Sequence, residues 1–423
     1  MTDLKTRIEE ANAKAFDILR QGKPQLVDVA RAIDVVPGML PNMILHSAPK
    51  IEWDRMCGPH RNGIIGAAIW EGLARDAEEA DAKIRAGEIL IDPCHFHATV
   101  GAGAGITSAS TPMLVVDNVT HGTRAYSCIS EGGGLRLLKW GWWDQGVLDT
   151  LTWQSEVFFP VLKAALKAAG PIDLKNIISR AVQMGDECHN RSVAATSLFL
   201  RELYPHLLSL DGFNAADLRA SIKFLVESEH FLLHGIMAAA KSVLMAAEGI
   251  DYSTVVTAMA RNGVDFGIKV SGLGDQWFVA PANDVKGLFF RAEWSYADAA
   301  PDLGDSSITE TFGLGGFIQP CAPTVTQYVD GSVAQAMANT REMEEICVGT
   351  NPDVLIPAMD FAPAPLGIDI RKVVKTGFTP LLDTAITHRD GGLIGAGEVR
   401  APIACFELAL KAFGEAVKQL EKA

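Results

Sequence analysis

Five segments concentrate residue types that can bind or transform a small polar molecule. The first, PCHFHATVGAGAGITSAS, runs from Pro93 to Ser110. Read as a strand, it sets Cys94 and Phe96 on one face and His95 and His97 on the other, because strand side chains alternate. Two imidazoles on one face can share a metal or grip an anion. The run that follows, with Gly101, Gly103 and Gly105, has no bulky side chain to cover its amides, so it can aim N–H groups at a carboxylate, phosphate or oxyanion. The competing reading is a strand entering a close-packed turn, with both histidines simply hydrogen-bonded. No third ligand stands at a convincing spacing, which makes zinc the weaker reading.

The second segment, MGDECHNRS, spans Met184–Ser192 inside a helical zone. At helical spacing Glu187 and Arg191 lie one turn apart, which fits a solvated face with an ordinary ion pair. His189 there reads as a helix-surface or interface residue rather than a catalyst. The third segment carries Arg261 and Asn262. Ser253 reads as a helix N-cap and the Arg-Asn-Gly triplet as a helix stop before a strand. A guanidinium at such a junction can fork onto a carboxylate or phosphate, or simply complement the helix dipole. The fourth, PDLGDSSITETFGLGGF, crowds Asp305, Ser306, Ser307, Thr309, Glu310 and Thr311 before Gly313, Gly315 and Gly316. A capping box between Ser307 and Glu310 explains half of it, but not the glycines. The fifth, TGFTPLLDTAITHRDGGLIGAGEVRAP, couples His388 and Arg389 to Gly391, Gly392, Gly395 and Gly397. His388 is the best single candidate for proton transfer, since imidazole titrates near neutral pH. An ordinary hairpin with an Asp-Gly-Gly turn is the alternative.

These segments need a scaffold. The chain has 423 residues, 48% hydrophobic and 21% charged, which is material for two or three domains and not a disordered composition. The first stretch, 1–153, mixes short β-like runs with one helix over about Gly63–Ala86. The stretch 154–260 is helical nearly throughout, with apolar residues three and four apart. The last, 261–423, returns to mixed texture and ends in an amphipathic helix, CFELALKAFGEAVKQLEKA. The order predicts an α+β fold: two α/β domains flanking a helical one.

Several functions are excluded or disfavoured. The formal net charge of −14 argues against nucleic-acid binding, and means that an anionic substrate needs a local positive site. No window approaches ~18 uninterrupted apolar residues, so no membrane span is expected. The N-terminal residues read as an amphipathic helix closed by Gly22, not as a signal peptide. Seven dispersed cysteines with no CxxC pair fit a reducing, cytoplasmic setting. No GxGxxG follows a strand, and neither a P-loop nor a GxSxG is present. No cofactor and no metal are expected.

In this order, PCHFHATVGAGAGITSAS, MGDECHNRS, RNGVDFGIKVSGLG, GDSSITETFGLGGF and HRDGGLIGAGEVRAP resemble the YlbE-like family, formerly a domain of unknown function. The resemblance runs from about Gln25 to the C-terminal helix. It implies a subunit of oxamate carbamoyltransferase, which phosphorolyses oxalurate from purine (allantoin) catabolism to oxamate and carbamoyl phosphate. It further implies an FdrA-like partner, a third small subunit, and a small helical domain between two mixed portions. Many relatives carry a Pro-Met pair in the glycine turn where this chain has Ala102 and Gly103. The smaller lining widens the pocket and leaves room for a different carbamoyl or amide compound.

On this reading phosphate attacks a ureido carbonyl and an amide leaves. Arg261 and Arg389 hold the two anions, and amides of Gly101, Gly103 and Gly105 stabilise the oxyanion. His388 or His95 protonates the leaving nitrogen, and Asp305 or Glu310 orients one of these groups. Asn262, His97, Ser306, Thr309, Gly315 and Gly316 complete the substrate-binding set. Two rivals remain: an amide or ureide hydrolase using water, and a non-catalytic subunit docking an FdrA-like partner. A homo-oligomer is expected for the isolated chain.

Overall fold

The computed structural model describes residues 3–328 and 331–422. The α+β class holds. Strand Pro24–Arg31 pairs antiparallel with Pro112–Asn118, which pairs with Thr123–Cys128, and the short Ile172–Asp173 closes the other edge. A small second sheet sets Met43–His46 parallel to Leu90–Pro93 and antiparallel to Thr107–Ser108. A third sheet orders Phe278–Pro281, Asp265–Val270, Val256–Asn262 and Leu303–Gly304, all antiparallel. A fourth joins Lys286–Phe289 to the hairpin Leu381–Thr387 and Leu393–Arg400. Cys347–Ile356 and Ala362–Ile368 form a separate ribbon.

Helices dominate from Gln145 to Met245, so the helical stretch expected over 154–260 begins earlier and ends before the strand Val256–Asn262. The central one, Leu233–Met245, is buried without a break from His234 to Leu244. It is apolar around nearly its whole circumference, as a helix enclosed on all sides must be. One apolar cluster continues through the molecule, from Leu26 and Val29 through Phe158 and Val243 to Phe266 and Phe406. The terminal helices Leu4–Gln21, ended by Gly22, and Ile403–Leu420 form where expected. Among the described residues no helix is long and apolar enough to cross a membrane.

Four local expectations are corrected. The helix expected over Gly63–Ala86 is two, Gly58–Trp70 and Ala77–Arg85; the second starts where the Asp76 carboxylate accepts the Glu79 amide. Cys94–His97 is a 3-10 turn, so His95 and His97 do not share a strand face. Met184–Ser192 is the loop between helices Leu174–Gln183 and Val193–Leu208. Val256–Asn262 is a fully buried strand rather than a helix capped by Ser253. A run buried on both faces has no alternation to betray it, and this is where periodicity loses its power.

Candidate functional site

Loops from four of the five segments converge on one cavity of about 250 Å³. Ala102 and Gly103 reach it from the glycine turn, His189 and Asn190 from the loop between helices, Ser306 from the Asp-Ser-Ser turn, and Thr384, Gly395 and Ala396 from the hairpin sheet. A sixth stretch completes the wall with Gly132, Gly133, Gly134, Lys139 and Trp140. His230, Leu233, Phe290, Leu303 and Leu393 are further lining residues.

His189 stands out in its bonding. Its Nδ1 lies 2.6 Å from Glu310 Oε1. The same carboxylate oxygen accepts the Gly316 amide at 3.1 Å and the Asp383 amide at 3.3 Å. An oxygen already accepting two N–H groups is an acceptor toward the imidazole too, so Nδ1 carries the proton and Nε2 keeps its lone pair. Nε2 has no hydrogen-bond partner among the described residues. The loop is folded by Glu187, whose carboxylate accepts the amides of His189 and Arg191, while Asp186 accepts the Ala195 amide at the next helix start. Burial and the neighbouring carboxylates Asp383 and Glu310 push Glu187 well above the ordinary carboxylate range. Burial and Glu310 do the same to Asp383. Glu310 therefore forms no capping box with Ser307, whose hydroxyl donates to the Met259 carbonyl instead. The Gly-Leu-Gly-Gly run finds its reason here: Gly315 sits at φ +57° with Glu310 Oε1 where a Cβ would stand.

The opposite wall is built on Asp305. Its carboxylate accepts the amides of Ala48 at 2.8 Å and Gly101 at 3.0 Å, pinning the glycine turn from behind. Burial pushes Asp305 up to about 7. Gly103, at φ +58°, presses so close to the Lys139 carbonyl that no Cβ would fit. Glu131 folds the triple-glycine loop back by accepting the amides of Leu138 and Lys139. Lys139 is 8% exposed, with its ammonium 5.4 Å from the centre of the Trp140 ring. Burial lowers its pKa, against the pull of Glu131. Among the described residues no carboxylate pairs with it within ion-pair distance, which leaves a cation available to an anion inside an acidic protein.

A family model described as "Oxamate carbamoyltransferase subunit AllG" matches residues 89–306. The Escherichia coli (strain K12) protein of that name is 42% identical over 417 residues, covering 97% of this chain and 99% of the relative. This chain belongs to the AllG family. The resemblance read from the five strings thus holds at the level of an oxamate carbamoyltransferase subunit, under the family name AllG. A second Escherichia coli (strain K12) relative, the uncharacterized protein YahG, is 44% identical over 409 residues, covering 96% of this chain and 86% of YahG. The crystal structure of a conserved protein of unknown function from Enterococcus faecalis V583 matches with a TM-score of 0.96 at 42% identity, over 98% of this chain and 100% of that one.

On this AllG-family chain the expected site residues divide into three groups. Gly103 and Ser306 line the cavity, and Glu310 stands directly behind His189. Others support the wall: the Gly101 amide is held by Asp305, Gly105 donates to Ala102, Gly315 donates to the Glu187 carbonyl, and Gly316 donates to Glu310. Thr309 Oγ1 lies 2.7 Å from the Ser306 carbonyl and 3.0 Å from Glu310 Oε2. Arg261 is fully buried one layer back, its Nε 2.8 Å from Asp302, and it is not among the residues lining the cavity. Asn262 bonds Pro49 and the amides of Val264 and Asp265.

The rest lie outside the cavity. His95 is buried behind Asp305, its Nε2 3.7 Å from Oδ1 and its ring edge-on to Trp277 at 5.2 Å. Burial, then Lys241 and Lys269, hold its pKa well below the usual imidazole value. His97 lies between the Pro37 carbonyl at 2.6 Å and Asp92 at 3.0 Å. His388 and Arg389 form the tip of the hairpin, where the Gly391 amide donates to the His388 carbonyl. The Arg389 side chain is 60% exposed. Lys139 and the Glu131–Gly134 run escaped the motif reading, although EGGG was a visible signal of backbone brought close to something. His189, expected at a helix surface or an interface, is instead buried in the loop between two helices.

Proposed function

We propose that this chain is a subunit of a cytoplasmic carbamoyltransferase that phosphorolyses oxalurate, or a related ureido acid, to oxamate and carbamoyl phosphate in purine (allantoin) catabolism. Its partners are an FdrA-like subunit and a third small subunit. The observation that carries the reading is the His189–Glu310 pair facing a cavity that also holds the Lys139 cation. The 42% identity to an oxamate carbamoyltransferase subunit over 97% of the chain supports the reaction class.

In this reading Lys139 and the glycine loop seat hydrogen phosphate. His189 Nε2 takes the phosphate proton as an oxygen attacks the ureido carbonyl. The C–N bond then breaks, and the same proton passes from Nε2 to the leaving nitrogen, giving oxamate. Glu310 holds the ring in the required tautomer and stabilises the transient imidazolium, as the acid does in a Ser-His-Asp triad. One proton moves twice, and no outside acid or base is consumed.

The test is carbamoyl phosphate formation from oxalurate by the purified chain, alone and with its partners. The proposal expects product that requires phosphate and falls sharply in His189→Ala. Product without phosphate would indicate a hydrolase. Full activity of the complex with His189→Ala would leave this chain a docking subunit.

A further inference from the structure

The Arg261 guanidinium distributes its donors among four acceptors. Nε meets Asp302 at 2.8 Å, one terminal nitrogen meets the Gly304 carbonyl at 2.8 Å and Ser306 Oγ at 3.2 Å, and the other meets Thr384 Oγ1 at 2.7 Å. Thr384 passes its hydroxyl proton to Asp302 at 2.8 Å, so that hydroxyl is used up. Ser306 differs. Its oxygen accepts from Arg261, and its proton has no acceptor among the described residues, while the residue lines the cavity.

Gly103 lies across a gap that Gly304 keeps open. A Cβ on Gly304 would stand 3.1 Å from Gly103 N, 3.3 Å from Gly103 O and 3.3 Å from Ser306 Oγ. Neither the Gly103 amide nor its carbonyl has a hydrogen-bond partner among the described residues. Asn190, on the same cavity, gives its Nδ2 to the carbonyls of Thr384 at 3.2 Å and Gly397 at 3.4 Å, which leaves Oδ1 as an acceptor without a partner among the described residues.

We infer that Gly103, Ser306 and Asn190 make a subsite for a neutral carbamoyl group, and that Arg261 is the positioning residue that reserves the Ser306 proton for it. The inference rests on the carbamoyl-transfer reading for the identity of the substrate, and adds which atoms read it. The Ser306 hydroxyl and Gly103 amide donate to the carbonyl oxygen. The Gly103 carbonyl and Asn190 Oδ1 accept from the –NH2. A carboxylate in this place would set negative oxygens against two acceptors, so the subsite discriminates amide from acid. Sites built to pair a substrate N–H reject analogues that lack it, because their own polar groups are left unpaired.

Oxamate and oxalate differ only in –NH2 against –O⁻, and calorimetric titration of the full-length chain with each measures the discrimination directly. Oxamate is expected to bind at least about tenfold tighter than oxalate. Ser306→Ala should lower oxamate affinity by about tenfold with an unchanged melting temperature, and Ser306→Thr should retain it. Arg261→Lys, which loses the bond to Ser306, should reproduce that loss. The double variant should be no worse than either single one, since both remove the same interaction. Equal affinity for oxamate and oxalate, no binding of either, or an unaffected Ser306→Ala overturns the subsite. Carbamoyl transfer without this selectivity overturns the subsite alone. Selectivity in a complex that fails to form carbamoyl phosphate overturns the transfer reading alone.

Discussion

His189 Nδ1 and Glu310 Oε1 lie 2.6 Å apart although 121 residues separate them in the chain. The contact fixes the tautomer and leaves Nε2 unbonded. His189→Gln, which keeps a polar side chain of similar reach, should lower carbamoyl transfer roughly 10²–10⁴-fold with little change in KM. Steady-state kinetics on the complex check it; a change under threefold would remove His189 from the proton transfer.

Gly315 tests the same pair from the backbone side. An alanine Cβ there would collide with Glu310 Oε1 and reach 3.0 Å from His189 Cβ, at φ +57°. At Gly377, with φ +76°, an added methyl would meet nothing within 4 Å. Gly377→Ala should cost only the left-handed backbone penalty, about 1–2 kcal/mol, and keep activity. Gly315→Ala should cost more stability and abolish turnover. Denaturant unfolding and kinetics on both variants separate strain from site disruption.

Lys139 should govern phosphate. Lys139→Met is expected to raise KM for phosphate more than about tenfold and to affect kcat less, as loss of a ground-state contact does. Because burial lowers the pKa of Lys139, phosphate affinity should fall with rising pH before the ordinary lysine range is reached. Lys139→Arg should flatten that fall.

Asp305 sets a pH dependence of stability. Burial raises it from the ordinary 3.8 to about 7, so between those values the folded chain binds a proton the unfolded chain releases. Stability from this group is fully present below 3.8 and is lost as pH rises through about 7. The amount is on the order of 4 kcal/mol. Urea unfolding at pH 4.5 and 7.5 should show a smaller difference in Asp305→Asn than in the wild type; equal differences would refute the assignment.

His388 and Arg389 provide the contrasting case. Both sit at the hairpin tip outside the cavity, so His388→Ala and Arg389→Ala should each leave kcat/KM within about twofold, as surface changes usually do. A larger loss would bring the tip back into the mechanism.

Much of this was legible locally. The α+β class, the long helical stretch, both terminal helices and the clustering of chemistry on glycine-lined turns follow from period and composition, because each is a property of neighbouring residues. Local reading failed where one pattern serves two environments. Val256–Asn262 is buried on both faces and shows no strand period. Ser307 and Glu310 match a capping box, yet Glu310 is taken by a histidine from another part of the chain.

The sequence by itself determined which segments could approach a ligand with bare backbone, and that a cation, imidazoles and hydroxyls were at hand. Tertiary structure alone decided which of them face one another. It placed His189 and Lys139 on the cavity, His388 and Arg389 at a hairpin tip outside it, and Arg261 one layer behind the wall. Whether a side chain bonds the protein or remains free for a ligand depends on partners tens to hundreds of residues away, and burial fixes the cost of leaving it unpaired.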